Sequence, residues 1–115
     1  MNYTPLINRT EDYIESHLKE KITMEDLARH CGMSVFHFHR VFKATAHETL
    51  QHYCSRIKIE RSAIVMAVNP SLSITSIAYL YGFSDSSAYI RAFKRHLKCT
   101  PTQFRNRKIR QSFPE

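Results

Sequence analysis

The sequence predicts an all-α chain of seven helices arranged as two similar units joined by a long helix, and three observations carry that prediction. Only two glycines and four prolines interrupt the 115 residues, and no alternating β-branched run marks a strand. Apolar residues recur at helical spacing between recognisable helix starts and stops. One stretch occurs twice. Leu27-Ala28-Arg29-His30-Cys31-Gly32-Met33-Ser34 runs on to Arg40-Val41-Phe42-Lys43, and Ile77-Ala78-Tyr79-Leu80-Tyr81-Gly82-Phe83-Ser84 runs on to Arg91-Ala92-Phe93-Lys94. Gly32 and Gly82 are the chain's only glycines, and each sits at the pivot of one copy.

The first helix is expected from Asn8, whose pairing with Glu11 has the form of a capping box, to about Glu20. Ile7, Ile14 and Leu18 give it an apolar side. The second starts at the Thr23/Asp26 cap, buries Met24, Leu27, Ala28 and Cys31, and stops at Gly32, which enters the left-handed region without a Cβ clash. Ser34 caps the third, about Val35 to Thr45, after a turn too short for an antiparallel hairpin; the pair therefore crosses steeply as a helix-turn-helix. On the third helix Val35, Phe38, Val41 and Phe42 point inward. Phe36, His39, Arg40 and Lys43 form the opposite stripe, which suits a DNA major groove: Arg forks onto guanine, His donates to N7 or O6, and an apolar ring meets a thymine methyl.

The fourth helix, Thr49 to Val68, ends at Asn69-Pro70, with Leu50, Tyr53, Cys54 and Ile57, then Ile64, Val65 and Val68, as its apolar side. At 1.5 Å per residue it makes a rod of roughly 30 Å, close to the ~34 Å turn of B-DNA. The fifth begins at Ser71 or Ser73, buries Ile74, Ile77, Ala78 and Tyr81, and closes at Gly82. Ser84 or Asp85 caps the sixth, with Tyr89, Phe93 and Leu97 inward and Ser87, Ile90, Arg91, Lys94 and Lys98 outward. Shifted by 51, Arg40 meets Arg91, Phe42 meets Phe93 and Phe38 meets Tyr89. Thr100-Pro101-Thr102-Gln103 opens a short seventh helix that Phe104 packs down, followed by a basic tail.

Charge narrows the function class. The net charge is +7; residues 1–22 hold three bases against four acids and the remainder fourteen against six. Such a balance implies a polyanionic partner, nucleic acid before membrane. No apolar run approaches the ~18–20 residues of a membrane helix, and no secretory segment precedes the first helix. Cys31, Cys54 and Cys99 show no C-x-x-C spacing and are expected as buried thiols in a reducing cytoplasm. Seven histidines invite a metal, but His37 and His39 diverge on a helix, and no H-E-x-x-H or P-loop pattern occurs. Catalytic residues, metal ligands and cofactors are therefore not expected. A protein-interaction module fits the helices but leaves the two outward Arg-Lys stripes without a use.

Phe83-x-Asp85-x-Ser87-x-Tyr89-x-Arg91-x-Phe93-Lys94, with Thr100-Pro101-x-x-Phe104-Arg105, resembles the signature of the AraC/XylS transcription regulators. The resemblance covers about Asn8 to Arg107, and its form is that of the short single-domain members resembling MarA, SoxS and Rob. It implies a DNA-binding domain over 8–107: subdomain 1 at about 8–48, a linker helix at 49–68, subdomain 2 at 71–107, and a basic tail at 108–115. It implies base-reading positions at Phe36, His39 and Arg40 on the third helix and at Ser86, Ser87 and Arg91 on the sixth. Phe36 and His39 stand where those members carry Trp and Gln. Lys43, Lys94 and Arg95 are expected on phosphates, which position without specifying. The implied protein is a bacterial, cytoplasmic, nucleoid-associated monomer that binds double-stranded promoter DNA at an asymmetric site and activates with RNA polymerase. Alternatives are a repressor, or the DNA-binding fragment of a longer ligand-responsive regulator; Met1 followed by a complete first helix favours the stand-alone form. Where the family often has glycine, after each Phe-Lys-x-x-x, this chain has His47 and Lys98, so each helix end needs ordinary backbone angles or a left-handed residue at modest cost.

Overall fold

Seven helices follow one another in the computed structural model: α1 (Thr4–Ser16), α2 (Met24–His30), α3 (Val35–Ala46), α4 (Leu50–Val68), α5 (Ile74–Leu80), α6 (Ser86–Leu97) and α7 (Pro101–Ser112). The structure describes residues 3–112, with side chains as far as 107. The side chains of the basic tail expected over 108–115 lie outside the described residues. The chain divides into two compact units, Met1–Ile57 and Lys58–Glu115, with the boundary inside α4.

In unit 1, α2 packs on α1 and α3. Helix α1 starts four residues earlier than the Asn8–Glu11 pattern predicts. Pro5 occupies its first turn and no side chain caps it; the ring's fixed φ suits that turn, whose amides have no helical carbonyl to bond, so its missing N–H costs no helix bond. The helix stops at Ser16 with His17 as its cap, so Leu18 lies beyond it. Of the expected apolar side, Ile14 is fully buried while Ile7 is 37% exposed. Thr10, one turn before Ile14, is buried instead and donates to the Leu6 carbonyl at 2.9 Å. The core gathers Ile14, Leu27, Ala28, Cys31, Phe38, Phe42, Tyr53 and Ile57. Full burial of each large apolar side chain contributes roughly 1.5–3 kcal/mol.

Unit 2 repeats the motif pair, α5 packing on α6, and sets α6 against α7. Its buried side chains include Ile59, Ser62, Ala63, Met66, Ile77, Ala78, Tyr81, Tyr89, Ala92, Phe93 and Cys99. Here α4 departs from expectation. Ile64 and Val68 are 60% and 68% exposed, whereas Ile59, Ser62, Ala63 and Met66 are buried. Each half of α4 keeps helical spacing, but the inward register changes between Ile57 and Ile59. The first half serves the core of unit 1 and the second half that of unit 2. Cys31, Cys54 and Cys99 are free thiols.

The glycine stops have the same geometry in both units. Gly32 has φ +68° and Gly82 φ +85°. The Gly32 amide donates to the Arg29 carbonyl at 3.2 Å and that of Met33 to Ala28 at 2.9 Å; Gly82 donates to Tyr79 at 3.1 Å and Phe83 to Ala78 at 3.0 Å. These paired bonds are the Schellman arrangement, which satisfies the orphan carbonyls at a helix end. They turn the chain within two or three residues toward the next cap.

Candidate nucleic-acid interface

Each unit presents its second motif helix, α3 or α6, from a capped start and a left-handed stop. Ser34 accepts the His37 amide at 3.1 Å and Asp85 that of Ala88 at 2.7 Å; a cap of this kind contributes about 1 kcal/mol. At the other end His47 (φ 55°) and Lys98 (φ 64°) adopt the left-handed conformation, so the chain takes the costlier of the two stops open to residues that are not glycine. Two residues later Thr49 accepts the His52 amide and Thr100 that of Gln103, both at 3.1 Å. Caps, stops and following caps thus correspond at the same shift of 51 as the two arginines.

Inward, α3 buries Phe38, Val41 and Phe42. Phe42 meets Tyr53 edge-on at 5.4 Å, and burial pushes the Tyr53 hydroxyl up to about 12. Val35, expected inward, is 42% exposed: it holds the first helical position, and the buried stripe begins one turn later at Phe38. Outward, Phe36, His39, Arg40 and Lys43 are all exposed. Phe36 is 73% exposed, and the Arg40 guanidinium carbon stands 5.8 Å from the centre of its ring.

On α6 the inward side chains are Tyr89, Ala92 and Phe93. Phe83–Tyr89, Tyr89–Phe93 and Phe93–Phe104 form a chain of edge contacts at 5.3–5.7 Å. Leu97 is only half-buried. Ser87, Arg91, Lys94 and Arg95 are exposed, and Ser86 is half-buried at the first helical position. Ser87 occupies the place that Phe36 holds on α3. Within each unit the structure therefore gathers the expected residues on one outward face, save the partly covered Ser86.

Several side chains that hold these helices were not anticipated. The Ser62 hydroxyl donates to the Ile59 carbonyl at 2.7 Å and lies 2.8 Å from the Tyr89 hydroxyl, all buried. A serine has one proton to give, so Tyr89 donates to Ser62. Burial raises the Tyr89 hydroxyl's pKa above its ordinary value. At the α3–α4 turn, Arg56 grips Glu48 through Nη2 at 2.7 Å and Nε at 3.0 Å, and His52 contacts the same carboxylate. Burial works to raise the Glu48 pKa, but the bonds from Arg56 and His52 outweigh it and leave the carboxyl below its ordinary range. The signal was present as Glu48, His52 and Arg56 four residues apart. Arg105, the last residue of the signature and one for which the sequence offered no partner, donates to the Leu72 carbonyl at 2.7 Å and ties α7 to the α4–α5 loop. Among the described residues no group of three or more His, Cys, Asp or Glu could hold a metal ion. None of the described helices is long and apolar enough to cross a membrane.

Two capped helix-turn-helix motifs on an all-α frame define the class, that of helix-turn-helix DNA-binding domains. A helix-turn-helix domain family model matches residues 27–107. The Msm operon regulatory protein of Streptococcus mutans is 28% identical over 99 residues, 86% of this chain and 35% of that protein. The uncharacterized HTH-type transcriptional regulator YbfP of Bacillus subtilis is 30% identical over 105 residues, covering 91% and 35% respectively. Among solved structures, a transcriptional regulator of Chromobacterium violaceum with an AraC-type DNA-binding domain superposes with a TM-score of 0.74 at 22% identity, covering 90% of this chain and 92% of that one. The DNA-binding domain of AdpA, solved in complex with a target DNA, gives 0.66 at 22% identity, covering 93% and 95%. The chain belongs to the AraC/XylS-type helix-turn-helix family of DNA-binding transcription regulators. Family and fold are those of regulators and not of enzymes. The chain spans about a third of the length of these curated relatives.

Proposed function

We propose that this chain binds double-stranded promoter DNA sequence-specifically, with α3 and α6 entering two successive major-groove segments of one asymmetric site. Phe36, His39 and Arg40 face base edges from α3; Ser86, Ser87 and Arg91 do so from α6; Lys43, Lys94 and Arg95 hold phosphates. The observation that carries this reading is the matched pair of helices, each with buried rings on one face and an exposed Arg-Lys stripe on the other. Exposed arginine offers a fork for guanine O6 and N7, and exposed lysine a point charge for the backbone. Because the two outward faces differ in sequence, the site lacks two-fold symmetry.

The protein then acts in the cytoplasm as a monomer and raises transcription through RNA polymerase. Selecting duplexes from a randomised pool tests the first part: one asymmetric sequence is enriched, and affinity falls steeply with salt. Failure to enrich any sequence would falsify specific readout. Transcription in vitro from a template carrying the selected site tests the second: added protein raises transcript yield, and a lowered yield would make it a repressor. The curated relatives are about two and a half times as long, which supports a second reading as the DNA-binding part of a longer regulator. The two part on whether this module alone changes transcription.

A further inference from the structure

We infer that Phe36 and Arg40 work as one reading unit for a guanine with a thymine beside it, Phe36 acting as the positioning residue for Arg40 while covering the thymine methyl. The inference rests on α3 facing base edges, as proposed above. Phe36 is the most exposed large apolar side chain among the described residues, at 73%, so the cost of hydrating its ring is not offset within unit 1. It lies one turn before Arg40 on the same outward stripe, and the guanidinium carbon stands 5.8 Å from its ring centre, within the range of cation–π attraction.

An arginine side chain in water has many rotamers to lose on binding. A ring beside the guanidinium narrows them before DNA arrives, which lowers the cost of the two-bond contact to guanine. With the fork on guanine O6 and N7, a ring 5.8 Å from the guanidinium has the neighbouring pair, about 3.4 Å along the duplex, within reach. The apolar group a major groove offers there is the thymine C5-methyl. The molecule supplies its own comparison, since Arg91 has Ser87 at the place of Phe36.

The test uses duplexes selected from a randomised pool by the wild-type chain. The enriched site carries a T·A pair next to the G·C pair that depends on Arg40. Replacing that thymine with uracil, which lacks the methyl, weakens wild-type binding about three- to tenfold and leaves Phe36→Ala unaffected. Phe36→Leu keeps the methyl preference but loses several-fold of the guanine-over-adenine discrimination, and Phe36→Trp retains both. The combined loss in Phe36→Ala/Arg40→Ala is smaller than the product of the single losses, the mark of coupled groups. Unchanged helical circular dichroism in each variant confirms folding. Equal binding of thymine and uracil sites by wild type overturns the inference, and so does full guanine discrimination by Phe36→Leu. An Arg40→Ala loss that is equal on selected and random duplexes overturns the base-reading role of α3 itself.

Discussion

In unit 1 the inward ring on the first turns of α3 is Phe38; in unit 2 its counterpart is Tyr89, whose hydroxyl is buried against Ser62. On the outward side the contrast reverses, with Phe36 on α3 and Ser87 on α6. Unit 1 therefore holds α3 by apolar packing and spends its distinctive side chain on the outside. Unit 2 holds α6 with a buried polar bond and presents a plainer exterior. Repetition has kept what closes and caps a helix, while each face was free to change wherever its neighbours allowed.

The largest expected effect tests the inward half of this contrast. Ser62→Ala leaves the Tyr89 hydroxyl buried without a partner and costs about 1–3 kcal/mol in denaturant unfolding. Adding Tyr89→Phe returns most of the loss. A loss below about 0.5 kcal/mol for Ser62→Ala would place the bond outside the differences that matter. The outward half is sharpened by Arg40→Ala and Arg91→Ala on the selected duplex. Each costs about 1–3 kcal/mol of affinity, with Arg40 the larger; a greater loss at Arg91 would break the assignment.

Smaller effects test what the units share. His47→Gly and Lys98→Gly relieve a left-handed backbone that costs roughly 1–2 kcal/mol for an ordinary residue. Part of that gain is returned as greater freedom of the unfolded chain, so each raises stability by up to about 1 kcal/mol, read from the denaturation midpoint. Lys98 gains less, because its ammonium already donates to the Arg95 carbonyl at 3.1 Å. The smallest effect concerns acid. The Thr23 backbone amide, and then its side chain, hold the Asp26 carboxyl below its ordinary range, whereas the α5 cap pairs Ser73 with Ser76 and has no acid. A depressed carboxyl stabilises the fold above its unfolded pKa and loses that contribution as pH falls through the folded value. Amide protection in α2, taken relative to the intrinsic exchange rate at each pH, therefore falls below about pH 4 while that in α5 does not follow, and Asp26→Asn removes the difference.

The turns and caps of both motifs were legible from sequence because glycine, serine, threonine and aspartate act there through local backbone geometry. Gly32, Gly82, Ser34 and Thr23 needed no knowledge of neighbours, and the choices between Ser71 and Ser73 and between Ser84 and Asp85 closed on Ser73 and Asp85. The start of α1 was misplaced because Asn8 and Glu11 imitate a capping box, while Pro5 stands one residue inside the helix. The inward face of α4 was unreadable over its second half for a different reason. One helix serves two cores in two registers, so no single period runs through its 19 residues. Arg105 was hidden by company: in a basic stretch, one arginine bonded to a backbone carbonyl looks like its exposed neighbours. The outward stripes were found because polar and aromatic residues at i, i+3 and i+4 are visible without a partner. What each stripe touches is a property of two molecules, and a sequence describes only one of them.

The Ser62–Tyr89 bond has a consequence for how such repeats can exchange parts. Ser34–His47 and Asp85–Lys98 are cassettes of equal length, with matching caps, stops and buried positions. Moving the first into unit 2 brings Phe38 beside Ser62, whose hydroxyl still bonds the Ile59 carbonyl, so the graft loses one hydrogen bond and orphans nothing. Moving the second into unit 1 sets a tyrosine hydroxyl against the cavity that Phe38 shares with Thr10 and Glu11, where it must find a new partner. The bond is therefore dispensable in one direction of exchange and must be rebuilt in the other, while Val41 in place of the buried Ala92 makes its own demand for space.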